Sequence, residues 1–394
     1  MEAKSGKRTA YQFIVLLGLV SLFGDITYEG ARSITGPYLA VLGASAVVVG
    51  LVSGLGEFLG YALRLAAGYF ADRTRAYWPL TLLGYGLLVS VPLLALTGHW
   101  PLAALLIILE RIGKAVRSPA RDTILSHATK QVGRGWGFGL HEALDQIGAV
   151  AGPLLFTTVF FFHGNYSEGF SLLWIPALLC FGILLFARRK VPVPENLEST
   201  AMERAQDRTP QSLPRSFWVY TLFIFFSVTG FVNFQIIAFH LKTQQVVSDA
   251  VIPLLYAVAM GVDAVVALLI GRLYDRVGLK ALIFIPFLTA VLPFLSLSRH
   301  LSWVVAGMAL WGAVMGIHET VMRAAIADLA PLARRGFAYG IFNTAYGLAW
   351  LLGSSAIGIL YSYSRGALGL MVLLLQGACL AVFFKLRTLA SERA

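Results

Sequence analysis

Eight of the 20 acidic residues in this 394-residue chain lie inside long apolar runs: Asp25, Glu29, Glu57, Glu110, Glu142, Asp145, Asp263 and Glu319. Four bases lie as deep, Arg32, Arg64, Arg111 and Lys114. An ionised side chain in hydrocarbon costs roughly 2.5–3.5 kcal/mol even on lenient insertion scales, so charges that persist there face a cavity or a partner. The chemistry open to them is proton uptake and release by a carboxylate, or attraction of an anion by a base. Asp25, Glu29 and Arg32 follow one another at spacings of four and three, on one face of a helix, with Tyr28 beside them. Asp25 is expected near the middle of its run and is read as a titrating group. The competing reading is a static Glu29–Arg32 pair that locks the helix. Glu57, Tyr61 and Arg64 repeat the pattern at i, i+4 and i+7.

Glu110 and Arg111 sit at mid-depth of a later run, and Lys114, Arg117 and Arg121 extend a basic ladder along it. The ladder either guides an anion or is neutralised by Glu110 and the acids of the next run. There, His141 and Asp145 stand one turn apart with Glu142 adjacent, and His318-Glu319 forms a second such pair. No run carries two histidines at i, i+4 and no cysteine is close by, so no metal and no other cofactor is expected, and proton handling is the expected role. In the second half, Asn233, Gln235 and Asn343 are the polar residues expected to line a cavity. Six of the eight acids and all four bases belong to the first half, where the working chemistry is expected.

The elements that must position these groups are membrane helices. Apolar residues make up 58% of the chain and charged residues 13%, with a mean hydropathy of +0.74. Soluble domains are closer to half apolar and a quarter charged. About 20 apolar residues cross a bilayer, and twelve spans can be drawn at roughly 11–40, 45–71, 77–98, 101–122, 136–162, 168–187, 216–241, 250–273, 279–298, 301–327, 337–360 and 366–386. The Pro-rich, charged stretch 188–215 reads as a linker with a short amphipathic helix between halves at 1–187 and 216–394. The formal charge of +11 is not a nucleic-acid footprint. About 24 of the 31 Lys and Arg fall at alternate ends of the spans, which places both termini in the cytoplasm. The opposite loops hold only Lys242, Arg299 and Arg365. Cys180 and Cys379 lie in apolar runs and are expected to be reduced. The first run has a basic flank but also contains Asp25 and Glu29, and is read as a retained helix rather than a leader.

A short charged sentence occurs twice. Gly68-Tyr69-Phe70-Ala71-Asp72-Arg73 returns as Gly271-Arg272-Leu273-Tyr274-Asp275-Arg276, an offset of 271 − 68 = 203 residues. Arg134-Gly135-Trp136-Gly137-Phe138-Gly139 returns as Arg335-Gly336-Phe337-Ala338-Tyr339-Gly340, an offset of 335 − 134 = 201. Two segments repeated at nearly one offset make the chain an internal duplication, and duplicated membrane halves are a transporter's architecture. No G-x-x-x-x-G-K-[ST] occurs, and no hydrolase constellation stands out, so neither an ATPase nor another enzyme is expected.

These residues resemble the major facilitator superfamily, twelve-helix secondary transporters made of two pseudo-symmetric six-helix bundles. Gly271 to Lys280 matches the family's G-x-x-x-D-R-x-G-R-K loop well; the first copy keeps Gly68, Asp72 and Arg73 but lacks the later glycine. Gly148, Gly152 and Pro153 resemble the G-x-x-x-G-P of the family's exporters. The segments Arg111–Asp122 and Gly137–Asp145 are similar to those of a poorly characterised bacterial branch. Arg111 stands where the family's R-x-x-Q-G motif begins, with Lys114 and Ala115 replacing its last two residues. The resemblance implies that Asp72 and Asp275 cap facing helices as cytoplasmic gates, and that Arg73 and Arg276 pair with Asp122 and Asp328. The expectation is a monomeric, inner-membrane, proton-coupled transporter of a small organic solute, working by efflux. The alternatives are an importer of an organic anion, resting on Arg32, Arg64, Arg111 and Lys114, and a non-transporting receptor or assembly factor.

Overall fold

Hydrocarbon offers no hydrogen-bond partners, so a long apolar run satisfies its peptide groups internally, as a helix. The computed structural model describes residues 2–197, 212–331 and 334–391, and among them every regular element is helical. The first half contains α1 (Glu2–Val41), α2 (Ala46–Thr74), α3 (Tyr77–Gly86), α4 (Trp100–Val132), α5 (Arg134–Phe161), α6 (Tyr166–Leu172) and α7 (Trp174–Lys190). The second contains α8 (Arg215–Thr229), α9 (Phe234–Thr243), α10 (Val251–Val277), α11 (Phe284–Ser296), α12 (Leu301–Leu329), α13 (Arg335–Tyr363) and α14 (Arg365–Ser391).

Ten stretches among the described residues are long and apolar enough to cross a membrane, where the hydrophobic runs had suggested twelve. The difference has two physical sources. Val251–Ser296 is one such stretch holding both α10 and α11, because a 3-10 turn at Gly278–Ile283 joins them with no break in helical structure. The 33-residue α4 is not among the ten, since Glu110, Arg111, Lys114, Arg117, Arg121 and Asp122 interrupt its apolar character. It also runs to Val132, well past the expected end at 122.

Two spans are broken. The expected run 168–187 is interrupted at Leu173, between α6 and α7; Asn165 starts α6 with a reciprocal capping box to Glu168. The expected run 216–241 breaks at residues 231–233, between α8 and α9, where Asn233 caps the new helix. The third span narrows to 3-10 geometry after Gly86, where Pro92 removes a backbone donor. Of the linker expected at 188–215, a 3-10 turn at Pro194–Leu197 is described, and 198–211, much of the stretch expected to hold a short amphipathic helix, lie outside the described residues.

By packing, the chain divides into Met1–Arg32 with Leu63–Ala205, and Ser33–Ala62 with Gln206–Ala394. The hairpin made by the end of α1 and the start of α2 therefore belongs with the second unit. Glycines set that packing. A Cβ at Gly36 would strike the Gln235 carbonyl of α9, one at Gly50 the Ser354 carbonyl of α13, and one at Gly54 would lie 3.0 Å from Leu351 Cα. Tyr61 then meets Tyr346 edge-on, with ring centroids 4.7 Å apart. Small residues let helix backbones approach and gain dispersion contacts that lipid cannot supply.

Both units keep the internal duplication as geometry. In the first, the Cys180 thiol of α7 donates to the Val20 carbonyl of α1 at 3.2 Å; in the second, Cys379 of α14 donates to Phe223 of α8 at 3.3 Å. Both cysteines are free and buried. A Cβ at Gly68 would lie 3.6 Å from Pro119 of α4, and one at Gly271 would lie 3.5 Å from Thr320 of α12. The repeated loop glycines thus occupy matching crossings within their own units.

Replacing Gly50 by Leu should destabilise the protein by about 1–3 kcal/mol through overpacking against α13. Gly261→Leu, at a position where nothing lies within 4 Å, is the control. Thermal unfolding of the purified protein checks this: a lower midpoint for the first and an unchanged one for the second are expected.

Candidate functional site

In the first unit, α1, α3, α4 and α5 come together around charge, and glycine makes the approach possible. A Cβ at Gly148 of α5 would strike the Leu22 carbonyl of α1 and lie 3.1 Å from Asp25 Cβ. One at Gly152 would sit 2.7 Å from the Gly30 nitrogen. The segment of α1 carrying Asp25, Tyr28 and Glu29 is therefore pressed against α5 backbone. Gly84 of α3 and Gly113 of α4 allow a second close crossing, and it seats Arg117. That guanidinium donates to the Gly84 carbonyl at 3.3 Å and to Glu110 Oε1 at 3.3 Å, and lies 4.8 Å from the Tyr85 ring centroid. Arg117 and Glu110 are only 2% and 3% exposed. A pair this deeply buried needs more than its own attraction, and the Gly84 carbonyl and the Tyr85 ring add to it.

Tyr28 is the hub of the α1–α4 face. Lys114 Nζ lies 3.8 Å from its ring centroid, Arg111 Cζ 4.6 Å and Arg32 Cζ 5.9 Å. Arg111 also donates to the Tyr28 hydroxyl. The acids nearby are shared among these bases: Glu29 Oε1 is 3.6 Å from Arg32, and Glu110 Oε2 is 3.8 Å from Arg111. A separate chain of contacts runs through Ser21, which donates to Asp145 and accepts from Arg121 at 3.1 Å. Arg121 in turn holds Asp122 at 2.8 Å.

The structure thus brings together Asp25, Glu29, Arg32, Glu110, Arg111, Lys114 and Asp145. The charges that act on Asp25 are those of Asp145, Lys114, Glu29 and Arg117. His141 is buried with both ring nitrogens lacking a protein partner, in the electrostatic field of Arg121, Asp145 and Asp122. Glu142, expected beside it, is exposed and does not join. Glu57 is buried, within the hairpin that packs in the second unit, whereas Arg64 falls in the first. Among the described residues, no three His, Cys, Asp or Glu side chains converge as metal ligands.

Asp72 and Asp275 are exposed. The pairings expected around them differ in detail: Arg73 donates to Tyr69 at 3.2 Å, Asp122 is held by Arg121, and Asp328 accepts from Tyr274 at 2.8 Å. Tyr69 stands three residues before Asp72, and Tyr274 directly before Asp275, so local geometry supplies partners that the repeat does not advertise.

The second unit has a different interior. Where α8 gives way to α9, Asn233 Oδ1 accepts from the Ile236 amide at 2.8 Å, which caps α9 and fixes the break. Trp311 Nε1 closes on the freed Val232 carbonyl at 3.0 Å. Phe231 packs between Trp311, Trp350 and the His318 ring, and His318 Nε2 meets Ser227 Oγ at 3.0 Å. Asp263 of α10 is buried against Gly316 of α12, where a Cβ would lie 2.8 Å from its Oδ1. Glu319 and Asn343 are half-buried. Ser21, Tyr28 and Arg117 are the participants that spacing underweighted. Ser21 lies four residues before Asp25, and Arg117 seven after Glu110, so helical register carried the signal.

The model of the Major Facilitator Superfamily matches residues 16–247 and 236–394. Uncharacterized protein Rv2265 of Mycobacterium tuberculosis is 42% identical over 383 residues, covering 96% of this chain and 94% of that protein. The Uncharacterized MFS-type transporter MJ1317 of Methanocaldococcus jannaschii is 27% identical over 365 residues, 89% of each chain. Among solved structures, the nucleoside transporter NupG is similar with a TM-score of 0.71 at 14% identity, over 95% of this chain and 98% of that one. A peptide transporter POT in complex with sulfate gives 0.73 at 16% identity, over 97% and 94%. At such identities these two show the fold alone. The polytopic helical fold, the duplicated loops and the match along almost the whole sequence lead to one conclusion: the chain belongs to the Major Facilitator Superfamily and is a multi-pass membrane secondary transporter, not an enzyme.

Proposed function

We propose that this protein is a proton-coupled transporter that moves a small organic solute across the bacterial inner membrane by alternating access. In this reading twelve helices form two pseudo-symmetric six-helix bundles, 1–187 and 216–394, joined by 188–215, with both termini cytoplasmic and the monomer as the working unit. The α10–α11 stretch then counts as two spans and the charged α4 as one, which supports the count of twelve. The matching Cys180–Val20 and Cys379–Phe223 hydrogen bonds support the pseudo-symmetry.

The observation that carries the coupling is Asp25. The residue is 9% exposed, its Cβ lies on backbone-tight packing with α5, and it sits among both signs of charge. A carboxylate so placed changes its charge state when its surroundings change, which is what a coupling site needs. Asp145, with His141 one turn away, is the second proton-handling candidate.

The outward direction rests on the likeness of Gly148, Gly152 and Pro153 to the exporter motif. Those glycines support close packing of α5 on α1, which transport in either direction would use. The second reading, inward movement of an organic anion, is favoured by the gathering of Arg32, Arg111 and Lys114 on Tyr28. Cytoplasmic gating is assigned to Gly68, Asp72, Arg73 and Asp122, and to Gly271, Asp275, Arg276 and Asp328.

Asp25→Asn should abolish proton-driven flux while the protein still folds. The check is sided uptake in proteoliposomes under an imposed pH gradient, with a solute found by thermal-shift screening; wild-type flux in the variant would refute the coupling role. Asp72→Ala and Asp275→Ala should each change the labelling rate of engineered cysteines near the cytoplasmic ends of α4 and α12. Unchanged rates in both would remove the gating assignment.

A further inference from the structure

The charge arrangement around Tyr28 is unbalanced in a specific way. An aromatic ring attracts cations through its quadrupole but carries no net charge, so it gathers bases without neutralising them. Three bases meet at this ring, at 3.8, 4.6 and 5.9 Å. The carboxylates close at hand are committed elsewhere: Glu29 to Arg32 at 3.6 Å, and Glu110 to Arg117 at 3.3 Å with Arg111 at 3.8 Å. Lys114 makes no ion pair within 4.0 Å among the described residues; its contact is the ring. It is also half-buried rather than sealed, unlike Arg117 one turn further along α4. A reachable ammonium beside a planar guanidinium on one ring is the donor set that fits an oxyanion.

We infer that the transported solute carries an anionic group, a carboxylate or a phosphate-type oxyanion, bound by Lys114 and Arg111 beside Tyr28, and that it binds together with a proton on Asp25. This rests on the transporter reading above and names the substrate class for it. Asp25 lies one helical turn before Tyr28, whose ring Lys114 approaches at 3.8 Å, and its Cβ abuts Gly148 of α5. The charges that act on it are Glu29 on its own helix, Lys114 and Arg117 on α4, and Asp145 on α5. Tyr85 of α3 and Cys180 of α7 pack against the adjacent Gly24. Lys114 is therefore placed to serve two anions, the Asp25 carboxylate and the solute. Ionised Asp25 attracts the ammonium through space and repels the incoming charge; protonated Asp25 does neither. Linkage is reciprocal, so a proton that favours the anion is favoured by it equally. Proton and solute then load together and cross in the same direction. This favours symport of an organic anion over outward exchange for a proton.

The test uses full-length protein in detergent, with ionic strength held by sodium chloride and a pH-indicator dye in weak buffer. Benzoate and phenylphosphonate are the charged probes, and benzamide is the neutral one. At least one charged probe is expected to raise the unfolding temperature with proton uptake from solution, and benzamide to do neither. Lys114→Gln should weaken the apparent affinity at least about tenfold, the loss of one charged hydrogen bond, and Lys114→Arg should retain it within a few-fold. Asp25→Asn should keep anion binding but lose the proton uptake. Equal affinity in wild type and Lys114→Gln, proton release on binding, or no stabilisation by either charged probe would overturn the assignment. The wild-type proton measurement needs no variant to fold. If neither charged probe binds yet Asp25→Asn still abolishes proton-driven flux, the anion site falls and the coupling reading stands. If Asp25→Asn transports normally, the coupling falls, and the anion site is then decided by Lys114→Gln.

Discussion

Removing an ion from water is tolerable only if the protein replaces what water supplied, and α4 places several ions in one helix. Its Glu110, Arg111, Lys114 and Arg117 cannot be satisfied by α4 alone, because the backbone is already hydrogen-bonded and side chains a turn apart reach only so far. Neighbouring helices must come near enough to offer a carbonyl, an aromatic face or a counter-charge. The Gly84–Gly113 crossing brings a carbonyl and the Tyr85 ring to Arg117. The Gly148 and Gly152 contacts hold α1 where Tyr28 can serve Arg111 and Lys114. In the first unit the buried charge depends on the tight crossings, which bring its partners within reach.

The second unit shows what the same skeleton does without that burden. Its cysteine-to-carbonyl hydrogen bond and its loop glycine repeat those of the first unit. The interior, however, is aromatic and mostly uncharged, with Phe231, Trp311 and Trp350 around His318 and Ser227. A duplicated ancestor explains the shared crossings, since those are set by backbone packing. The interiors are free to diverge, because a crossing constrains residue size more than residue chemistry.

Much of this was legible in the chain itself. Composition and the runs of apolar residues give the class of fold, and the two repeated loops give the duplication. Asp25, Glu110 and Arg111, read as charges inside apolar runs that need partners, are buried. Sequence failed where geometry is decided by a single residue acting across space. In the run 216–241, Gly230 and Asn233 are residues that suit a helix end and a helix start, but the apolar run continues through them; the Trp311 bond to the Val232 carbonyl and the Asn233 cap fix the break. Glu142 looked like a partner of His141 because it is adjacent, yet adjacency in a helix turns side chains about 100° apart, and it ends up exposed. The resemblance pairs Arg73 with Asp122 and Arg276 with Asp328, whereas Arg121 reaches Asp122 and Tyr274 reaches Asp328.

The interruption between α8 and α9 has a mechanical consequence. A continuous helix transmits bending along its whole length, because each turn is tied to the next by hydrogen bonds. Cutting the ties over three residues turns one beam into two struts with a joint. The α8 strut is fastened to α13 and α14, while α9 bears on the α1–α2 hairpin through the glycine at position 36. The joint is not loose, because Phe231 is packed among Trp311, Trp350 and His318, the Val232 carbonyl accepts from Trp311 and Asn233 caps α9. The angle between the two struts is therefore set by side chains of other helices rather than by the span's own backbone ladder.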